Sequence, residues 1–318
     1  MSLGYWWRLA ALSAAVWWLA GTVLSAAVAA VAPAAALSAE RMRAASAARL
    51  LFLLRMAPAL GAAILVLLFA APNYLRLETD RGPETMGGVC LAAAFFAAAG
   101  WGASLVRGSA AAAASRRFLR GCRPVRTCLA PDVWVVDGPR GLVAVAGILR
   151  PRVLVSRSLA GDLTADQMAA ILRHERAHGA ALDNLKRLCL RMAPATLLFR
   201  RQFTKLERAW ARQAEWAADD SAAAGNEERS IALAEALVRV AREGGAPREL
   251  ALATPLVEET AQIAERVDRL LGGGPRRTPS CGIGKAAAGA AAVASMALIH
   301  FHAASMGAIH ELMEYLVR

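Results

Sequence analysis

Near the middle of the chain, His174-Glu175-Arg176-Ala177-His178 places two imidazoles four positions apart, with a carboxylate directly after the first. On an α-helix, positions i and i+4 stand one turn apart on the same face, so both imidazoles can meet a single metal ion. Imidazole nitrogens joined by a carboxylate suit Zn2+, which with three protein ligands keeps one position open. Zinc so held polarises a carbonyl and brings the pKa of bound water to about 7. Glu175, beside the first ligand, can take the proton of that water and pass it to a leaving amine. His174 and His178 are therefore candidate metal ligands and Glu175 the candidate catalytic base for hydrolysis of a peptide bond.

A third ligand must come from elsewhere. The remaining histidines, His300, His302 and His310, lie in or at the end of the last apolar tract. His300 and His302 are two positions apart and would point to nearly opposite sides of a helix, a poor chelating pair. Glu215 in Glu215-Trp216-Ala217-Ala218-Asp219 is the better candidate. One turn further on, Asp219 can orient a ligand histidine from behind. Glu207 has no acid or amide three or four positions on, and Asp220 lies about 100° around the helix from Asp219.

These residues need rigid carriers. Thr164-Ala165-Asp166-Gln167 reads as a capping box, starting a helix at Ala165 that carries Met168, Ile171 and Leu172 on its buried face and the two histidines further along. Further helices are predicted over 202–224, 227–243 and 256–271, each stopped by glycine or asparagine. Upstream, VWVVD at 133–137, LVAVA at 142–146 and VLVS at 153–156 are short β-branched runs separated by glycine and proline, the pattern of a small antiparallel sheet. The fold class read from sequence is mainly α with that small sheet.

The rest of the chain points to a membrane. Of 318 residues, 57% are hydrophobic. Four tracts, 9–37, 56–75, 86–106 and 286–309, lack Asp, Glu, Lys and Arg. Each is about the length that crosses a ~30 Å hydrocarbon core as a helix. The predicted organisation is three transmembrane helices within 1–106, a basic juxtamembrane segment at 107–130, a peptidase domain at 131–280, and a fourth transmembrane helix with a short extracytoplasmic tail at 281–318. Basic residues flank the spans: six arginines and no acid from Arg107 to Arg126, four arginines against one glutamate from Ser38 to Arg55. The positive-inside rule then puts both termini outside and the peptidase domain in the cytoplasm. A net charge of +12 distributed in this way reads as anchoring beside anionic headgroups, and no nucleic-acid partner is expected. The five cysteines form no C-x-x-C pair, and free thiols are expected.

Gly147-Ile148-Leu149-Arg150-Pro151-Arg152-Val153-Leu154-Val155, the helix leading into HERAH, Asp183, and then Glu215 to Asp219 resemble the membrane metallopeptidase family of the β-lactam-sensing transducers of BlaR and MecR type, over about Val133 to Leu271. The resemblance implies a gluzincin-like fold, one zinc ion at His174, His178 and Glu215, supporting roles for Asp183 and Asp219, and cleavage of a protein target during signalling, such as a transcriptional repressor. It also implies a bacterial inner membrane location. The transducers carry an extracellular ligand-binding domain after the last span, whereas this sequence ends at Arg318, so direct β-lactam sensing is not expected. HtpX and CAAX prenyl protease types share the same motifs, and quality-control proteolysis is the alternative activity. A silent signalling scaffold is the alternative of another class, against which stands the presence of His174, Glu175, His178 and Glu215 together.

Overall fold

The computed structural model describes residues 3–77, 86–124, 132–137, 139–148, 151–194, 197–243, 254–255 and 260–272. The tract at 286–309 with His300 and His302, and also His310, Cys128 and Cys281, lie outside the described residues, as does the predicted fourth transmembrane helix.

Three long helices open the chain. α1 covers Leu3–Glu40. α2 covers Ala44–Leu65 and runs through a π-helical turn, Val66–Ala70, into α3, Ala71–Leu77. α4 covers Gly88–Gly121 and so continues past the apolar tract through Arg107, Arg116, Arg117 and Arg120. All three are long and apolar enough to cross a membrane. Large apolar side chains face outward along them, among them Leu60, Leu67, Phe95 and Val106, as a lipid solvent allows and water does not. At one end of the bundle Tyr5, Leu12, Tyr74 and Cys90 pack together. At the other, Glu40 reaches Arg212 at 2.7 Å, which puts that end beside the rest of the molecule.

The segment that follows builds a five-stranded sheet: β1 (Arg123–Pro124), β2 (Val133–Asp137), β3 (Val143–Ala146), β4 (Arg152–Ser156) and β5 (Thr254–Pro255), in spatial order β1-β2-β4-β3-β5. The purely antiparallel sheet expected from sequence is corrected here, because β2 pairs parallel with β4 while the other pairs are antiparallel. The turn after β2 leads into β3, yet β4 returns from β3 as a hairpin and inserts between them. Alternation and turn residues mark where strands lie, and neighbours are set by which strand fills the centre. β3 and β4 bury almost every position, as strands covered on both faces do.

Short α5 (Arg157–Asp162) leads to α6 (Ala165–Ala180), α7 (Asp183–Met192), a 3-10 turn at Leu197–Phe199, α8 (Arg200–Ala223), α9 (Glu227–Arg242) and α10 (Thr260–Leu271). α6 begins where the capping box predicts, with both Thr164 and Gln167 bonds formed. The break between α8 and α9 needs left-handed backbone at Ala224 and Gly225, with φ of 48° and 73°, which glycine adopts without penalty. One core joins strand valines 143, 145, 153 and 155 to Ile171 of α6, Leu233 and Leu237 of α9 and Ile263 of α10. Each fully buried leucine or isoleucine there contributes about 1.5–3 kcal/mol. A second core joins Leu51 of α2 to Leu190 of α7 and to Phe203, Leu206 and Trp210 of α8. α8 thus spans both cores.

Candidate metal centre

α6 lies between the sheet and α8 and α9, and its packed face includes Met168, Ile171 and Leu172. The same periodicity turns His174 and His178 inward, 0% and 2% exposed. Their Nε2 atoms come within 3.1 Å of each other. From α8, Glu215 presents Oε2 3.6 Å from His174 Nε2 and Oε1 3.6 Å from His178 Nε2. Two nitrogens and one carboxylate thus form a triangle whose atoms all lie within 4.8 Å of one another. Bond lengths of about 2.0–2.1 Å in a tetrahedron place ligand atoms roughly 3.3 Å apart, so the triangle has the scale that a zinc ion requires and the donor types it prefers.

Each imidazole is held from behind. His174 Nδ1 lies 3.0 Å from Asp219 Oδ1, and His178 Nδ1 lies 2.8 Å from Asp183 Oδ2. With Nδ1 directed to a carboxylate, Nε2 is the nitrogen turned to the centre, the arrangement that fixes ring orientation in metal sites. Asp183 stands at the start of α7, just after Leu182 takes a left-handed conformation of φ 56°. That tight reversal folds α7 back so that an acid five positions along the chain can meet His178.

Glu175 is fully buried, and neither of its carboxylate oxygens has a hydrogen-bond partner among the described residues. Burial raises its pKa, opposed by charge on the two histidines. The carboxylate keeps its acceptor capacity unspent and takes up a proton more readily than an exposed glutamate does. The other acids shift the opposite way. Burial opposes ionisation of Asp219, but the Arg266 charge and the His174 bond overcome it and bring the pKa to about 2. Glu215 is likewise held well below its ordinary range against burial, by His178 and Arg266. Burial alone would lower both imidazoles, yet the facing carboxylates raise them, His178 to about 10. Carboxylates flank both rings, Asp219 and Asp183 at Nδ1 and Glu215 at Nε2, a gathering of negative charge that favours a cation.

Sequence reasoning missed two arginines at this centre, Arg187, 3.8 Å from Glu215 Oε1, and, more deeply engaged, Arg266 of α10. Arg266 is 4% exposed and binds Asp219 through two bonds of 2.6 and 2.8 Å. It also reaches Glu215 Oε2 at 3.2 Å and His174 Nε2 at 3.4 Å. A signal existed: Arg266 interrupts the stripe of Ile263, Val267 and Leu270 that packs on the core, and a charge in an apolar stripe calls for a buried partner. Glu207, set aside from sequence, lies outside the centre and pairs with Arg55 at 2.7 Å. Asp220 faces away and pairs with Arg269.

No curated protein and no solved structure matches the chain. Residues 123–239 match the family model described as peptidase family M48. That stretch holds α6, α8, both histidines, Glu175, Glu215 and Asp219, and ends before Arg266. In the broad sense, the match supports a membrane-type zinc metallopeptidase.

Proposed function

We propose that the protein is an integral membrane zinc metalloendopeptidase in which His174, His178 and Glu215 hold one zinc ion and Glu175 is the general base. The observation that carries this reading is the buried, unpartnered carboxylate of Glu175 beside the His174, His178 and Glu215 triangle. A structural glutamate in a closed core would have its oxygens bonded. The chemistry a bound zinc ion supplies there is Lewis-acid polarisation of the scissile carbonyl and acidification of water. Glu175 accepts the proton of the attacking water and returns it to the leaving nitrogen, so no proton need cross the site to solvent. Asp219 and Asp183 keep the imidazoles oriented, and Arg266 keeps Asp219 ionised and in place.

The substrate class is a protein at the cytoplasmic face, and regulated proteolysis of BlaR and MecR type is the preferred role. HtpX-like quality control is the second reading, since the match to peptidase family M48 does not separate the two types. The arginine-rich flanks of the spans support the orientation with both termini outside. Comparing protein termini in cells expressing the wild type and Glu175→Gln tests the proposal. New termini that depend on Glu175 are expected, in one or a few proteins for signalling and in many membrane proteins for quality control. An absence of Glu175-dependent termini would overturn the enzymatic reading and favour the scaffold.

A further inference from the structure

Between the membrane helices and α8 lies a cavity of about 550 Å³, within the size range of small-molecule sites. Six arginines line it, Arg55, Arg107, Arg187, Arg191, Arg200 and Arg208, and Glu207 is the one acid among its lining residues. Glu207 is engaged by Arg55, whose guanidinium also lies over the Phe203 ring and donates to the Ala193 carbonyl. Arg107 bonds Ser104 and approaches the Arg191 carbonyl. Arg191, Arg200 and Arg208 have no carboxylate partner among the described residues and are exposed. Guanidinium groups gathered in a concave site repel one another unless an anion sits among them, and their planar forks suit phosphate oxygens.

The position of the cavity along the bundle identifies the source of that anion. Arg107 lies 19 residues beyond Gly88 at the start of α4, and Arg55 lies 22 residues before Leu77 at the end of α3. At about 1.5 Å per residue these are roughly 29 and 33 Å, one hydrocarbon thickness from the same far end of the bundle. The outward-facing large apolar residues of α4 run from Val89 to Val106 and those of α2 and α3 from Leu53 to Leu75. The apolar band therefore ends where the arginines begin, at the level of lipid phosphates. We propose that this cavity binds the headgroup phosphate of an anionic glycerophospholipid, seating it between α2, α4, α7 and α8.

The inference does not depend on the peptidase reading, and its test uses no activity. The full chain purified in detergent is offered equal amounts of phosphatidylglycerol and phosphatidylcholine, and bound lipid is read by native mass spectrometry. Phosphatidylglycerol should be retained preferentially. The triple variant Arg191→Gln, Arg200→Gln, Arg208→Gln should lose that preference by about fivefold per arginine, on the order of 100-fold together. The matching triple lysine variant should keep most of it, which separates lost charge from lost fold. Equal retention of the two lipids by the wild type, or an undiminished preference in the glutamine variant, would overturn the proposal. Displacement of the lipid by millimolar inorganic phosphate would also overturn it, by assigning the cavity to a soluble phosphate.

Discussion

α8 carries two buried-side acids that look alike in sequence and do different work. Glu215 meets two imidazoles and Arg266, while Glu207, eight positions earlier, meets Arg55 of a membrane helix. The difference lies in what each neighbouring helix offers. α6 brings two imidazoles with their Nδ1 atoms tied to Asp183 and Asp219, so that both Nε2 donors turn to Glu215. α2 brings Arg55 and no nitrogen or carboxylate that could bind a metal, so Glu207 has an ion-pair partner but no fellow donors. An acid on a helix is a candidate ligand where its neighbours bring further donor atoms to the same point.

That contrast can be broken most directly at the proposed catalytic base, Glu175. Glu175→Gln should lower peptidase turnover by roughly 100- to 10,000-fold while zinc per purified protein, measured by plasma mass spectrometry, stays at the wild-type level. A zinc-loaded variant with full turnover would remove Glu175 from the chemistry. Next in size, Glu215→Gln should weaken zinc by more than the roughly 100-fold that bounds an outer partner, read by chelator competition. In the same competition Arg266→Gln and Asp219→Asn should each cost about 10- to 100-fold. Zinc affinity unchanged in Arg266→Gln would show that Asp219 needs no anchor. At the start of α6, Thr164→Ala removes the cap and should destabilise the fold by about 1 kcal/mol, seen as a lower Tm. The smallest effect expected is that of Glu207→Gln on zinc, which is none. Metal loss there would erase the distinction between the two acids.

The local parts of the site were legible in the chain. HERAH, the Thr164 cap and the spacing of Glu215 and Asp219 depend on one turn or two of helix, and the 3.6-residue period reports these faithfully. What spans longer separations was not. Arg266 reaches Asp219 across 47 positions, and only its intrusion into an apolar stripe hinted at that. The parallel pairing of β2 with β4 likewise depends on which strand takes the middle of the sheet, a choice that period-2 patterning leaves open. The C-terminal end of α4, at Gly121, also lies beyond the span read as 86–106, because arginines that terminate an apolar tract do not terminate a helix.

The second core has a further consequence for modularity. Phe203, Leu206 and Trp210 of α8 are each 2% exposed because α1 and α2 pack near them. Excised from its membrane helices, the catalytic half would turn that aromatic strip to water, inviting aggregation. α1, α2 and α8 therefore share one core, and detergent or lipid around α1 and α2 belongs to the integrity of the helix that presents Glu215.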